Sequence, residues 1–247
     1  MYFSGVSSVQ ELSMLQEAGV KSVLVDQFDL PHCVSWPGNL ALDSGAYRAF
    51  KKNLTLDVGA YVALIEAQEF NFDFVVTLDV IGDAVKTRNN WRFMRQSTIP
   101  FIPVYQWSAK EDYLLRYLDE SYIVGIGGLV SAMRDKNQQM YDQLGDLINL
   151  YPHRFHIFGM NWLKALEDFK DYVASADTSK FLDGARYGHV IFTNTRTGHL
   201  SQAPASALVG SDHFPPEITS DRRLRCVLSA KNMEEFCAEE SLTASAH

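Results

Sequence analysis

The sequence predicts an α/β protein, a single-domain (β/α)8 TIM barrel. Short apolar segments alternate with helix-like segments about eight times, and the connections between them are short. The chain has 247 residues, a usual length for a barrel that forms one domain. Several strand-like segments end in a polar side chain or in glycines, and the carboxyl ends of parallel strands are where such barrels gather their functional residues.

The predicted strands are short and apolar, and many are rich in β-branched residues. In chain order they are Tyr2–Val6, Ser22–Val25, Leu40–Asp43, Phe72–Asp79, Phe101–Gln106, Tyr122–Gly127, Arg154–Gly159 and Ala174–Asp177. Between the second and third strands, residues 26–39 contain two prolines and a tryptophan. We expect this segment to form a loop over the top of the barrel.

The predicted helices carry apolar residues at helical spacing. They are Val9–Ala18, Asp57–Phe70, Asp83–Ser97, Lys110–Leu118, Met133–Leu150 and Trp162–Tyr172. After Gly188 the pattern weakens, with His189–Thr193 as a further strand candidate and Asp221–Cys237 as a terminal helix candidate. We therefore expect one domain over residues 1–247, with a barrel core over about 1–190 and an extension over 190–247. The last ten or so residues are expected to be disordered.

Composition and charge exclude several classes of protein. The formal net charge of -8 argues against a nonspecific nucleic-acid binder but leaves room for a local basic patch. Cys33, Cys226 and Cys237 are too few and too scattered for a disulfide framework, which fits a reducing compartment. The start of the chain lacks the features of a signal peptide, and no apolar run approaches the ~18 residues of a membrane span. We expect a soluble cytoplasmic protein.

Polar residues at the strand ends are the candidate functional groups. Asp43, Asp79 and Asp177 each close an apolar strand, and aspartate is rarely buried without a partner or a function. Three carboxylates at one barrel mouth suit glycosyl transfer, because one can attack an anomeric carbon while another moves a proton. Side-chain amides and backbone N–H groups nearby suit recognition of the edge of a planar polar ring.

Each of these motifs also has a simpler interpretation. Asp43 and Asp79 could cap the helices that follow them, and Asp177-Thr178-Ser179 could be a capping segment. Gly127-Gly128 could be a tight turn without a ligand. Their joint placement at strand ends favours the functional interpretation.

Six short motifs follow one another between about residues 41 and 188. The motifs are Leu42-Asp43-Ser44-Gly45, Leu78-Asp79, Tyr105-Gln106, Ile126-Gly127-Gly128-Leu129, His156-Ile157-Phe158-Gly159-Met160 and Ser175-Ala176-Asp177-Thr178-Ser179. In content and order they resemble the tRNA-guanine transglycosylase superfamily, including the branch that places 7-deazaguanines in phage and bacterial DNA.

The resemblance implies two catalytic residues and a set of base contacts. Asp177 is expected to be the nucleophile that attacks C1′ of a guanosine and holds the sugar covalently. Asp43 is expected to be the general acid/base that takes the proton of the incoming 7-deazaguanine. Asp79 is expected to accept from N1–H and the exocyclic amine of the base. Gln106 and the Gly128 N–H are expected to donate to O6, and Met160 is expected to pack against the face of the base. Ser44 and Gly127 complete the expected substrate-binding residues.

Four arginines are expected to contact nucleic acid. The resemblance places Arg186 near a phosphate, and the dense cluster of Arg222, Arg223 and Arg225 predicts phosphate contacts from the sequence itself. The basic residues of the segment 83–97 are instead predicted to form a solvated helix face. Those residues are Lys86, Arg88, Arg92 and Arg95.

The chain departs from the tRNA enzymes at the family's zinc site. Those enzymes use three closely spaced cysteines and a histidine, whereas Cys226 and Cys237 stand far apart here and no Cys-x-x-Cys occurs. We therefore expect no metal, no other cofactor and no zinc-binding subdomain. Because that subdomain helps to hold tRNA in the relatives, DNA is the expected polymer and tRNA is less favoured.

The expected activity is the exchange of guanine in DNA for a free 7-deazaguanine such as 7-cyano-7-deazaguanine, with the target base flipped out or locally melted. The enzyme would act in the cytoplasm, or in the host cytoplasm if it is encoded by a phage, and a homodimer is left open. The alternatives are a tRNA-guanine transglycosylase, a non-catalytic base-binding partner subunit, and an unrelated barrel hydrolase of a nucleoside or sugar.

Overall fold

Parallel strands form a nearly closed sheet at the centre of this computed structural model, which describes residues 1–33, 35–68, 71–211 and 213–238, without the side chains of 131 and 132. Within these ranges the strands are β1 (Tyr2–Phe3), β2 (Ser22–Asp26), β3 (Asn39–Asp43), β4 (Val75–Val76), β5 (Phe101–Ile102), β6 (Val104–Gln106), β7 (Val124–Gly127), β8 (Phe155–Ile157) and β9 (Ser175–Thr178). Their spatial order is β5-β4-β3-β2-β1-β9-β8-β7-β6, and every pairing is parallel. The predicted α/β fold with a parallel, TIM-barrel-like sheet is confirmed.

The sheet is nearly closed because its two end strands, β5 and β6, are consecutive in the chain. Only Pro103 separates them, and proline has no N–H to donate to a ladder. The predicted single strand over residues 101–106 is therefore interrupted. The Pro103 carbonyl still accepts from the Gly125 N–H at 2.8 Å, so this segment joins β4 on one side to β7 on the other.

Helices follow the strands along the chain. They are α1 (Val9–Glu17), α2 (Leu30–Cys33), α3 (Ala46–Lys51), α4 (Val58–Glu66), α5 (Ala84–Met94), α6 (Glu111–Glu120), α7 (Val130–Arg134), α8 (Gln138–Leu150), α9 (Leu163–Phe169) and α10 (Lys180–Arg186). Several begin at a side-chain cap, as Ser8, Asp57 and Asp83 accept from backbone N–H groups of the first turn.

Several predicted bounds were wrong. The predicted helix over Met133–Leu150 is two helices, α7 and α8, because Asn137 caps α8 by accepting from the Met140 N–H at 3.0 Å. The segment 26–39 contains α2 in addition to loop. The predicted strand over Phe72–Asp79 is reduced to β4, and the predicted helix end at Phe70 lies outside the described residues.

Two hydrophobic layers lie on opposite faces of the sheet. Along β2, Val23 and Val25 pack into the large core under the helices, whereas Leu24 between them packs into a smaller cluster. This alternation with a period of two is that of a strand with both faces buried. The smaller cluster fills the inside of the barrel with Leu24, Ala41, Phe74, Val76, Ile102 and Val104.

The C-terminal part of the chain packs outside the barrel. Strands β10 (His189–Thr193) and β11 (Leu200–Pro204) form an antiparallel hairpin, and helix α11 (Arg222–Ala238) packs against β10, α10 and α1. The predicted strand and terminal helix are thus confirmed. Residues 239–247, where we expect disorder, lie outside the described residues. No helix within the described ranges is long and apolar enough to cross a bilayer.

Candidate active site

A cavity of about 630 Å³ opens at the carboxyl ends of the strands. Its volume lies within the usual range of small-molecule sites, roughly 300–1,000 Å³. The structure brings six of the predicted site residues to its walls. They are Asp43, Ser44, Asp79, Gly127, Gly128 and Asp177. The other predicted residues lie elsewhere.

The Asp177 carboxylate, near the end of β9, is held by donors from both neighbouring strands. Oδ2 accepts from the Ser4 hydroxyl at 2.5 Å, and Oδ1 accepts from the Gly159 N–H at 2.9 Å. Ser4 follows β1, whose pairing with β9 places it there, and Gly159 follows β8 with a φ of +65°. The sequence analysis missed Ser4, which lies 173 positions from its partner.

His156 lies wholly buried beneath Asp177, inside the barrel. Its Nδ1 is 2.8 Å from the Ser175 hydroxyl, and its Nε2 is 3.5 Å from Oδ1 of Asp177. Nε2 has no hydrogen-bond partner in the part of the chain that the structure describes. Because a buried nitrogen without a partner is costly, its place beneath a carboxylate calls for a functional explanation.

The Asp43 and Asp79 carboxyl groups differ in proton affinity although they share one cavity. The pKa of Asp43 is raised to about 8, chiefly by burial and additionally by the charges of Asp79 and Asp177. Burial also raises the pKa of Asp79, to about 6, but the Ser44 hydroxyl opposes this by donating to Oδ1 at 3.0 Å. At neutral pH the cavity therefore holds a proton, preferentially on Asp43.

The turn after β3 fixes both Asp43 and Ser44. The buried Ser44 hydroxyl accepts from the Ala46 N–H at 3.2 Å, which begins α3. Gly45 has a φ of +70°, and a Cβ built there would lie 2.9 Å from the ring of Phe28. Glycine is thus required for two reasons, namely its backbone conformation and the close approach of the ring.

Gln106 and Met160, two predicted base contacts, do not line this cavity. The Gln106 amide donates to the Val80 carbonyl at 2.7 Å and accepts from the Gly82 N–H at 3.0 Å, so it holds the loop that follows Asp79. Met160 is buried in the core under the helices.

Phe158 lines the cavity wall instead of Met160. His156 and Phe158 point inward from β8 and its end, and Ile157 points outward. The alternation rule applied along this strand could have identified Phe158.

The cavity also contains an ion-pair group that the sequence analysis missed. Arg48 in α3 pairs with Asp26 at 2.8 Å and also with Asp29. All three residues line the cavity. They share no motif, and only the packing of α3 against the end of β2 brings them together.

Most of the arginines predicted to contact phosphate are occupied within the protein. Arg225 is buried and donates to the carbonyls of Ala185 at 3.1 Å and Ile218 at 2.6 Å. Arg222 pairs with Glu11, and Arg223 pairs with Glu17, so both attach α11 to α1. Arg186 is exposed at the end of α10.

The predicted solvated face of α5 is wrong for Arg88. This residue is buried and forms a forked pair with Glu120, which also accepts from the Trp91 indole at 2.8 Å. The guanidinium therefore joins α5 to α6 and does not face solvent.

Within the described ranges, no three His, Cys, Asp or Glu side chains are grouped so that they could hold a metal ion. Cys226 is buried, and the Cys237 sulfur lies 3.9 Å from that of Met1. The absence of a zinc site in the whole chain stays a prediction.

The fold and the cavity define a barrel-like α/β protein with a carboxylate-lined mouth. The sequence matches no protein-family model and no curated protein.

Proposed function

We propose that this protein is a DNA-guanine transglycosylase of the tRNA-guanine transglycosylase superfamily, with a (β/α)8 TIM barrel. It exchanges guanine in DNA for a 7-deazaguanine such as 7-cyano-7-deazaguanine. The observation that carries the proposal is the meeting of Asp43, Asp79 and Asp177 in one cavity, where their surroundings differ. Pairs of carboxyl groups with separated pKa values are typical of acid/base catalysis.

In the first half of the reaction, a carboxylate oxygen of Asp177 attacks C1′ of the target nucleotide. The C1′–N9 bond breaks, and protonated Asp43 gives its proton to the departing guanine. A pKa of about 8 suits this role, because Asp43 then carries a proton at neutral pH. The product of this half is a glycosyl ester of Asp177.

In the second half, Asp43 takes the N9 proton of the incoming 7-deazaguanine. N9 attacks C1′, the ester bond to Asp177 breaks, and both carboxyl groups return to their starting states. Two displacements at C1′ retain its configuration. The proton that leaves with guanine is replaced by the proton of the new base, so Asp43 is protonated again at the end. One C1′–N9 bond replaces another and no atom changes its oxidation state, so the exchange needs no redox cofactor.

Base recognition falls to Asp79 and to the glycines at the end of β7. The Asp79 carboxylate accepts from N1–H and the exocyclic amine, since guanine presents both donors on one edge. The Gly128 N–H donates to O6. Phe158 forms the apolar wall of the cavity, and Gln106 supports the loop that follows Asp79.

The test is base exchange by purified protein. Radiolabelled guanine is incubated with duplex DNA, single-stranded DNA or bulk tRNA, and the polymer is then isolated. We expect label in DNA and at least about a 1,000-fold loss with Asp177→Asn, which keeps the shape of the side chain but removes the nucleophile. Asp112→Asn, at an exposed position in α6, is the matched control.

Other outcomes would overturn the proposal. Label in tRNA alone would identify a tRNA-guanine transglycosylase. Release of free guanine without incorporation of a base would identify a hydrolase. No reaction together with calorimetric binding of 7-cyano-7-deazaguanine would identify a non-catalytic base-binding subunit.

A further inference from the structure

We propose that the exposed face of α3 beside the cavity binds unpaired DNA nucleotides next to the target base. The α3 face consists of Tyr47, Phe50 and Lys51 in α3 and of Lys52, the residue that caps the end of this helix. Bases stack on the two rings, and the lysines meet the backbone phosphates. The inference rests on the proposed function, which supplies DNA as the polymer. It places nucleic-acid contacts on α3, whereas the sequence analysis predicted them at four arginines in the C-terminal part of the chain.

The aromatic residues of the α3 face are exposed at the rim of the cavity. Tyr47 is 52% exposed and Phe50 is 57% exposed, and both line the cavity. Their spacing of three residues places them on neighbouring positions of the helix surface. Two large rings half in solvent at the rim of a cavity indicate a surface that binds a partner.

The lysines add positive charge beside those rings. Lys51 lines the cavity, and its Nζ lies 5.4 Å from the centre of the Tyr47 ring. Within the described residues, neither Lys51 nor Lys52 forms an ion pair with a carboxylate, whereas Arg222 and Arg223 both do. Positive charges near the C-terminal end of α3 also interact favourably with the helix dipole. That effect accounts for the lysines but not for the exposed rings.

Rings and cations side by side are the combination that binds single-stranded nucleic acid. A guanine that leaves the stack to reach Asp177 leaves its neighbours without a stacking partner. Tyr47 and Phe50 can replace that partner at the place where the strand enters the cavity. Stacking on an aromatic ring strengthens binding by about 5- to 140-fold per base.

The test is the binding of a 5′-fluorescein-labelled 12-nucleotide single-stranded DNA, followed by anisotropy over a series of salt concentrations. The double variant Phe50→Ala/Lys51→Gln is compared with Lys86→Gln/Phe93→Ala. The control pair lies on α5, where Phe93 is 54% exposed and Lys86 is also on the surface, so both doubles remove one ring and one positive charge. Thermal denaturation verifies that both doubles are folded.

We expect the α3 double variant to bind the DNA at least about 10-fold more weakly, and the control to stay within about 2-fold of the unmodified protein. The steepness of log K against log salt should fall by about 0.7 in the α3 double variant and stay unchanged in the control. A fall of that size in both doubles would show that Lys86 also contacts a phosphate. Equal affinities of the two doubles would overturn the inference. So would binding of tRNA but not DNA.

The two proposals can fail separately. DNA binding that depends on the α3 face, without base exchange, would overturn the proposed function and keep this surface. Label entering DNA at an unchanged rate and affinity in the α3 double variant would keep the function and overturn the surface.

Discussion

Asp43 couples the chemistry of the site to the stability of the protein. Its pKa is about 8 in the folded state, against an ordinary value of 3.8. Between these values the folded protein holds a proton that the unfolded chain has released. Stability from this group is therefore fully present below about pH 4 and is lost as the pH rises toward 8.

We predict that Asp43→Asn makes the protein less sensitive to alkaline pH. The amide does not titrate, so the variant avoids a buried negative charge beside Asp79 and Asp177. At pH 8.5 the free energy of unfolding should exceed that of the unmodified protein by roughly 2 kcal/mol, and the gain should shrink at pH 5. Urea denaturation at the two pH values measures this. A gain of equal size at both would contradict the assigned pKa.

His156 should act as a positioning residue for the Asp177 carboxylate. We predict that His156→Phe keeps the fold and lowers kcat for base exchange about 10- to 100-fold, because small displacements of a reacting group are costly. The KM for the free base should stay within about 2-fold, since His156 does not line the cavity. Steady-state kinetics separate the two parameters, and an unchanged kcat would refute the role.

The matched variant for His156 is Ser175→Ala. This substitution removes the hydroxyl that lies 2.8 Å from Nδ1 but keeps the ring and its packing. A purely structural role for His156 predicts a fall in the thermal midpoint of both variants with no change in kcat. The positioning role predicts a smaller fall in kcat for Ser175→Ala than for His156→Phe.

The sequence predicts the site residues well where the position depends on local structure. Asp43 is the last residue of β3 and Asp79 comes three residues after β4, so the pattern of the chain was enough to place them at the mouth. Ser4 and Arg48 could not be found in this way, because their partners come from other strands. Met160 was misplaced because the turn at Gly159, with its positive φ, ends the alternation of β8.

At the scale of elements, the turn between β3 and α3 is the most constrained by shape. We predict that Gly45→Ala destabilises the protein by about 3 kcal/mol, from the left-handed backbone and from the contact of the new Cβ with Phe28. Gly188→Ala is the matched control. Gly188 has a φ of +77° with nothing within 4 Å of the added Cβ, so only the backbone cost of about 1 kcal/mol should remain.

Chemical denaturation of the two glycine variants gives the comparison directly. A larger loss for Gly45→Ala would assign the difference to the Phe28 ring. Equal losses would show that the ring moves aside without cost and that backbone conformation alone requires glycine there. Base-exchange activity should fall only in Gly45→Ala, because Asp43 and Ser44 precede this turn.

Helices and strands were predictable as types, but the breaks between them were less so. Pro103 interrupts a ladder that hydrophobicity alone extends over residues 101–106. Asn137 interrupts a helical pattern that continues on both sides of it, because its side chain caps the start of α8. The burial of Arg88 depends on Glu120 in a different helix, and one-dimensional patterns carry no such information.

At the scale of the whole molecule, the C-terminal extension is joined to the barrel through a buried charge. Arg225 in α11 donates to a carbonyl of α10, the helix that follows the Asp177 strand, and to the carbonyls of Ile218 and Thr219. The Ser229 hydroxyl accepts from the Ile191 N–H at 3.0 Å, which attaches the same helix to the hairpin. We therefore expect the barrel and the extension to unfold as one cooperative unit.

We predict that Arg225→Met lowers the stability of that entire unit by about 3 kcal/mol. Methionine fills similar space but removes the donor to the carbonyls of Ala185 and Ile218, whose hydrogen bonds are buried, and to the carbonyl of Thr219, whose hydrogen bond is partly buried. Arg223→Met should cost less than about 1 kcal/mol, because Arg223 and Glu17 are both half-exposed. Circular dichroism and tryptophan fluorescence should report one transition at the same denaturant concentration in each variant. Since all four tryptophans, Trp36, Trp91, Trp107 and Trp162, precede the extension, a fluorescence transition that stays at the unmodified midpoint in Arg225→Met would show that the extension unfolds independently.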